Sequence, residues 1–334
     1  MHDSGQPAPP CGRRAVMALI ATAAAAPAAR AAVLSDAPVL LVAGPAEGRL
    51  ARWGNRLAEA LMPGLPAGSQ LRASPVGGDD GVTGANQFTA RVAPDGSMLL
   101  LAPGAAALAW QVGDRRAQFD VGQWLGVMAG VMPGIVCGRM PPARQGERLR
   151  VGMAGPVGPD LAALLGLELA GLAVAPVFGV LDQNAAAQAL ASRAVDAVLL
   201  RGPGVAENLG PLAQVGVLPL FALGETRDPD WLAIPTLPDF AAAHGIAPGA
   251  VPLAAWRGVA AAAQTEFALV LPQLTPASLV ALWRQAGGQA APALQATGPL
   301  RVLDGAAAHA MALDAAALAD LRAWLARRLN WRPE

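Results

Sequence analysis

The chain has 334 residues, 54% of them hydrophobic and only 14% charged, with 24 basic residues balancing 24 acidic ones. That length suits two domains with a large buried interior, and zero net charge with scattered arginines leaves no electrostatic footprint for nucleic acid. Every basic residue is Arg, the three histidines (His2, His244, His309) stand apart, and the only cysteines are Cys11 and Cys137, so no metal site and no cofactor are expected.

The first stretch reads as an export signal. Arg13-Arg14 supplies the basic region, Ala15 to Ala26 an apolar run too short to span a bilayer, and Ala29-Arg30-Ala31 an A-x-A cleavage site. Residues 1–31 are therefore expected to be removed and the remainder to work in the periplasm. Gly12 stands where a twin-arginine signal carries a hydroxyl residue, so the export route stays open between Sec and twin-arginine. Cys11 precedes the basic pair and is no lipobox cysteine; Cys137 would be the only thiol left, with no internal disulfide to form.

Ala37 to Ala43 predicts a strand ending at Gly44-Pro45, and Leu50, Trp53, Leu57, Ala58 and Leu61 recur at helical spacing until Pro63-Gly64 stops them. Leu71 to Pro75 predicts a second strand, the loop Gly77 to Gly84 opens a helix over Ala85 to Val92, and Pro94-Asp95-Gly96 forms a tight turn before a buried strand, Met98 to Ala102. This repeating strand–loop–helix order predicts a mostly parallel sheet with helices on both faces and ligands beyond the carboxyl ends of the strands. A second unit follows Ile135-Val136-Cys137. It has strands at Leu149 to Met153, Val174 to Phe178, Val195 to Leu200 and Val215 to Leu223, with helices at Leu161 to Leu169, capped by Asp160, and at Asn184 to Ser192. Leu253 to Ala263 reads as an extended or irregular return, and Pro276 to Ala286 and Ala315 to Leu329 as helices.

The glycine loop, helix, Ala93-Pro94-Asp95-Gly96 turn and buried strand, in that order, resemble the tripartite tricarboxylate receptor family, the Bug-type extracytoplasmic solute receptors. Further matching segments are Leu40 to Leu61, Leu149 to Gly155, Ala194-Val195-Asp196, Ile234-Pro235-Thr236 and Trp256 to Thr265, so the likeness runs over most of the chain after residue 31. It implies a type II periplasmic-binding-protein-like α/β fold: two α/β domains, residues 32–132 with 257–334 and residues 133–256, joined by two crossover strands around a ligand cleft. It also implies binding without chemistry. A monomeric receptor would close over a small organic acid and deliver it to the membrane subunits of a tripartite transporter; an envelope sensor or adaptor with the same fold, or a degenerate receptor with a changed ligand, stays open as an alternative.

Carried onto this chain, the carboxylate would meet backbone N–H groups of the first loop (Gly44, Ala46, Gly48, Arg49) and the second (Gly78, Gly81, Thr83, Gly84), with Ala154, Gly155, Gly158, Phe178 and Arg201 from the second domain. Helix N-termini at those loops would favour an anion. Arg49 and Arg201 are placed at a helix start and a strand end, where a guanidinium could grip both carboxylate oxygens. The chain also departs from the family pattern. Glu47-Gly48 replaces paired glycines, Ala51 stands at an Asp position, and Met153 and Gly158 replace hydroxyl residues. Phe178 has no hydroxyl, Leu200-Arg201 stands at an acidic position, and Asp79-Asp80, in a turn, sits in the second loop. The tryptophans are expected mostly in core or interdomain packing, with Trp256, near the return, the best candidate among them for a cleft wall. No nucleophile elbow or catalytic triad spacing is present, and Gly44 to Gly48 is no P-loop because it lacks Gly-Lys-Ser/Thr.

Overall fold

The protein is described here by a computed structural model covering residues 34–139, 147–297 and 300–332. The expected export signal lies outside the described residues. In chain order the elements are β1 (Val39–Ala43), α1 (Arg49–Leu61), β2 (Arg72–Val76), α2 (Val82–Arg91), β3 (Met98–Ala102), α3 (Gly104–Gln111), β4 (Trp124–Val131), β5 (Gly134–Gly138) and β6 (Leu149–Met153). There follow α4 (Leu161–Leu169), β7 (Val174–Phe178), α5 (Gln183–Ala191), β8 (Ala197–Arg201), α6 (Val205–Gln214), β9 (Leu218–Ala222) and α7 (Leu237–Ala243). The last group is α8 (Ala250–Gln264), β10 (Thr265–Pro272), α9 (Ala277–Gln295), β11 (Arg301–Asp304), α10 (Gly305–His309) and α11 (Ala315–Leu329).

Two sheets organise these elements: a six-stranded one in the order β11-β4-β10-β3-β1-β2 and a five-stranded one in the order β7-β6-β8-β5-β9. Strands β1, β2 and β3 pair in parallel, as do β6 with β7 and β8, as the strand–loop–helix repeats demand. The sheets are nevertheless mixed rather than mostly parallel. Strand β10 runs antiparallel to β3 and β4, β11 to β4, and β5 to β8 and β9. The reason is topological: β4, β5 and β10 flank the passages between the sheets, so they do not belong to βαβ repeats.

Local chemistry accounts for the elements that carry the cleft. Leu50, Trp53, Leu57 and Leu61 bury one face of α1. In the turn before β3, Asp95 Oδ1 accepts the backbone N–H and hydroxyl of Ser97, which holds its carboxyl below the usual range, and Gly96 takes φ +73°. Trp283 Nε1–H donates to Gly96 O at 3.0 Å and ties the turn to α9. The chain leaves the first sheet through Met132-Pro133 and comes back along α8 into β10. The Met132 N–H donates to Gln264 O at 2.9 Å, binding the two passages side by side.

The return path corrects the sequence reading. Residues 253–263 are not extended; they form the body of α8, which packs on α3, α4 and α11. Ala255, Trp256, Val259, Ala260, Ala262 and Ala263 bury this helix on several sides at once, so no one-sided periodicity marks it, while alanine content favours the helix. Trp256 is 1% exposed and donates Nε1–H to Ala162 O at 2.9 Å. It clamps α8 to α4 inside the core, the packing role expected of most of the tryptophans, rather than walling a cleft. Two smaller corrections follow the same logic. The helix expected to end at Ala286 continues to Gln295, and the strand expected over 215–223 begins at Leu218, after α6 has closed at Val215.

Cys137 lies fully buried in β5, and burial pushes its thiol up to about 12. Thiolate chemistry is thereby shut off in the folded state. In protein beginning at Ala32, a thiol reagent such as DTNB should leave the native chain unlabelled and label one thiol per chain in denaturant. Rapid native-state labelling would contradict this burial.

Candidate functional site

A cavity of about 500 Å³ opens where the carboxyl ends of β6 and β8 face the start of α1 and β10. Its charged lining comes from both sheets: Arg49 and Glu266 from the first, Asp160, Asp182, Arg201 and Glu207 from the second. Each is placed by a local device. Gly202, at φ +85°, turns the chain sharply after β8, so Arg201 ends the strand at the cavity wall and α6 begins beyond it. Asp182 caps α5 by accepting the Ala185 N–H at 2.8 Å, which sets Gln183 as the first helical residue at the wall. Arg49 opens α1.

The two arginines differ in electrostatic state. Arg49 is 60% exposed at its side chain, yet its Nε lies 2.7 Å from the Oε1 of buried Glu266. The same Oε1 accepts Trp53 Nε1–H at 3.1 Å, so Glu266 is held by two donors and Arg49 is engaged. The Arg201 side chain is largely desolvated, and among the described residues it makes no hydrogen bond or ion pair. Burial lowers its pKa, while the charges of Asp160 and Glu266 oppose that shift and the charge of Arg49 adds to it. Asp160 is the complement. Burial raises its carboxyl, against the Ala154 N–H that donates to Oδ2 at 3.0 Å and against the charge of Arg201. That bond is also a correction, because Asp160 precedes α4 but makes no capping bond to it and instead reaches back across the 154–159 loop.

Of the residues expected at the site, the cavity brings together Arg49, Ala154 and Arg201. Gly44, Ala46, Gly48, Gly78, Gly81, Thr83, Gly84, Gly155, Gly158 and Phe178 lie outside its lining. The N–H groups of Gly44, Gly48 and Gly81 already bond the local carbonyls of Val42, Pro45 and Gly78. Gly81 and Gly84 have a packing role: a Cβ at Gly84 would fall 2.6 Å from the Ala43 Cα, and one at Gly81 would fall 2.5 Å from the Pro103 ring. Asp80 accepts the Val82 N–H and pairs with Arg116, as a turn residue does. Phe178 is half exposed on β7. The sequence reading missed Gln183 and Glu266, and it placed Asp160 as a cap only. A single carboxylate at the head of the apolar run Phe267 to Leu271 was the available signal for Glu266.

A second cavity, of about 300 Å³, lies on the far side of the two passages, lined by Val131, Pro133, Leu223, Trp231, Arg257 and Leu303 among others. Its arginines are engaged: Arg301 with Asp228, Arg227 with Asp239, and Arg257 at 4.0 Å from Glu225. Of these two cavities, the first alone presents a guanidinium unengaged among the described residues, and among those residues no group of side chains could hold a metal ion.

No family model matches the chain, and no curated protein matches it. Solved structures do. A TctC solute-binding protein from Polaromonas, solved without ligand, superposes with a TM-score of 0.64 at 17% identity over 88% of this chain and 98% of that one. The chain has the fold of a solute-binding protein. Looser likenesses include MatC from Rhodopseudomonas palustris with bound malate (TM-score 0.49, 17% identity, 86% and 99% of the two chains) and a second R. palustris protein with adipate (0.49, 18%, 88% and 97%). With the TctC-type fold in hand, the larger cavity falls at the carboxyl ends of strands from both sheets, where an α/β fold presents ligands.

Proposed function

We propose that the chain is a divergent receptor of the tripartite tricarboxylate type, exported to the periplasm, that captures a small organic acid in the larger cavity and performs no chemistry on it. Residues 32–132 with 257–334 and residues 133–256 act as its two domains, and closure over the ligand is what a transporter's membrane subunits would read. The observation that carries this reading is Arg201, a desolvated guanidinium without a partner among the described residues, at the wall of a ligand-sized cavity. A desolvated cation that is hydrogen-bonded to no counter-ion costs free energy that an arriving carboxylate recovers through paired N–H···O bonds. The N-termini of α5 and α6, at Asp182 to Asn184 and Gly204, line the same space and favour negative charge.

A thermal-shift panel of small mono-, di- and tricarboxylates against their neutral amides tests the reading. Ligand at a hundred times Kd should stabilise the protein by about 2.7 kcal/mol, enough to raise Tm by several degrees. Shifts from acids and none from amides are expected; shifts from amides alone, or from nothing in the panel, would sink it.

The charge of Asp160 opposes a bound carboxylate, and that gives a pH dependence. Its folded pKa is raised above 3.8, so the native state holds the proton to higher pH than the unfolded chain. The resulting stabilisation is complete below the unfolded pKa and disappears as pH rises through the folded one. Carboxylate affinity should therefore strengthen as pH falls through the folded pKa of Asp160, until the ligand itself protonates. Arg49, Arg201, Asp182, Glu207 and Glu266 line the same space. Asp160→Asn should bind a carboxylate at pH 7 roughly fivefold more tightly, about 1 kcal/mol at the effective dielectric of such a site, and should flatten the pH profile. Weaker binding by Asp160→Asn in calorimetric titration would contradict the assignment.

A further inference from the structure

The rear cavity, behind the passages, offers a ligand something different from the larger one. Val131 of β4, Leu303 of β11 and Ala307 of α10 face it from the side of the first sheet, and Ile135 of β5, Leu223 and Trp231 from the side of the second. All five charged side chains of its lining are held in ion pairs: Glu225 with Arg257, Asp228 with Arg301, and Arg227 with Asp239. The Thr265 hydroxyl donates to Ala261 O at 2.8 Å. What remains to recognise a ligand is carbon. Apolar protein cavities of about 150 Å³ already hold benzene, so a volume of about 300 Å³ has room for a fused pair of rings. The two cavities also share a wall. Val131, Pro133 and Thr265 line the rear one, Met132 and Glu266 the larger one, and Gln264 both. Successive side chains of an extended chain point to opposite sides, so the two passages form a thin partition with a cavity on each face.

We propose that the rear cavity is a second binding site, for a compact, neutral, apolar molecule of one or two rings, and that its occupancy weakens carboxylate binding in the larger cavity. The second half rests on the carboxylate reading of the larger cavity and on closure around that ligand. A rotation about the shared partition that brings the sides of the larger cavity together moves the sides of the rear one apart. A molecule seated between Leu303 and Ala307 on one side and Leu223 and Trp231 on the other keeps its contacts only while the rear stays narrow. It therefore favours the arrangement seen here over the closed one. The effect is reciprocal: a bound acid weakens the hold on the apolar molecule by the same factor.

Calorimetric titration of the purified protein with indole, tryptamine and indole-3-acetate, one ring system in three charge states, tests the site. Ala307→Phe and Ala261→Phe each place a ring in the rear cavity from a half-buried wall position, and only binding that these variants lose belongs to that cavity. Indole should bind there, and the cation and the anion roughly tenfold more weakly or worse, because burying their charge finds no free partner. Crystals soaked in 5-bromoindole locate the ligand without any substitution, with the bromine expected between Leu223 and Leu303. No binding of indole, binding that survives in both variants, or bromine only elsewhere would overturn the site. Tighter binding of tryptamine or indole-3-acetate in that cavity would overturn the neutral class. Saturating indole should weaken the best acid of the carboxylate panel about fivefold or more in the unsubstituted protein, the usual size of a coupling between sites, and should have no effect in the filled variants. Acid binding that indole leaves unchanged or strengthens would overturn the coupling. If no acid binds while indole still does, the carboxylate reading fails and takes the coupling with it, and the rear site stands.

Discussion

Arg201→Ala should weaken carboxylate binding by roughly a hundredfold, about 3 kcal/mol, while leaving the protein as stable as before or slightly more so. The two halves of that expectation have one cause. In the free protein the guanidinium is desolvated and, among the described residues, its side chain makes no hydrogen bond or ion pair, so its removal relieves a burial cost that outweighs the attraction of Asp160 and Glu266. In the complex it supplies charge-assisted bonds worth about 1.5–3 kcal/mol each relative to solvent. Arg49→Ala should show the opposite pattern. Arg49 is engaged with Glu266, a carboxylate buried in β10, and its loss leaves that charge with the Trp53 N–H as its hydrogen-bond donor and the longer-range charge of Arg201. The cost should be of order 2–3 kcal/mol in stability, with a smaller effect on binding at a temperature where the variant is folded. Melting curves and calorimetric titrations of both variants separate the two patterns. A large loss of stability in Arg201→Ala would show that the side chain has a structural partner in solution.

Gly126→Ala should destabilise the chain by at least about 3 kcal/mol, or roughly 6 °C in Tm. A Cβ at Gly126 would lie 2.0 Å from the Gly305 carbonyl oxygen, and one at Gly305 would lie 2.1 Å from the oxygen of Gly126. Both obstacles are backbone, so no rotamer change relieves them. Strand β4 would have to separate from the start of α10, disturbing the β11 edge and the Arg284 Nε–H···O=C bond to Gly126 at 2.9 Å. Gly288→Ala is the internal control, because that glycine lies exposed in α9 with open space around it. It should gain about 0.5–1 kcal/mol from helix propensity and reduced unfolded-state entropy. Thermal unfolding of the pair should therefore move Tm in opposite directions. Equal shifts would mean that close backbone packing at β4 carries no special cost.

Much of the fold was readable because its strands are short apolar runs cut off by turn residues. Strands β3, β6 and β7 coincide with their sequence-based limits for that reason, and the Pro94-Asp95-Gly96 turn adopts the side-chain bond and positive φ its residues call for. Alanine-rich segments gave the errors. In α8 and in α3, small residues bury several faces and erase the periodic contrast. Gly104 is there because α3 and α8 touch: a Cβ on it would fall 2.0 Å from Ala262 O. At the cavity, Arg49 and Arg201 were readable because each stands alone beside an apolar element. The set of Asp160, Gln183 and Glu266 was not, since two sheets and more than a hundred intervening residues bring those side chains together. Asp160 and Asp182 both precede helices, yet only Asp182 caps one, and that distinction depends on the shape of the 154–159 loop rather than on residue type.

The central claim is that a small carboxylate sits in the larger cavity and is held by Arg201. The most direct measurement is a crystal structure of the protein with the best acid from the panel. A carboxylate oxygen within about 3 Å of the Arg201 guanidinium, the distance of a charge-assisted bond, is the predicted result. The same acid lodged in the cavity behind the passages, between Leu223 and Leu303, or bound with Arg201 still unengaged, would contradict it.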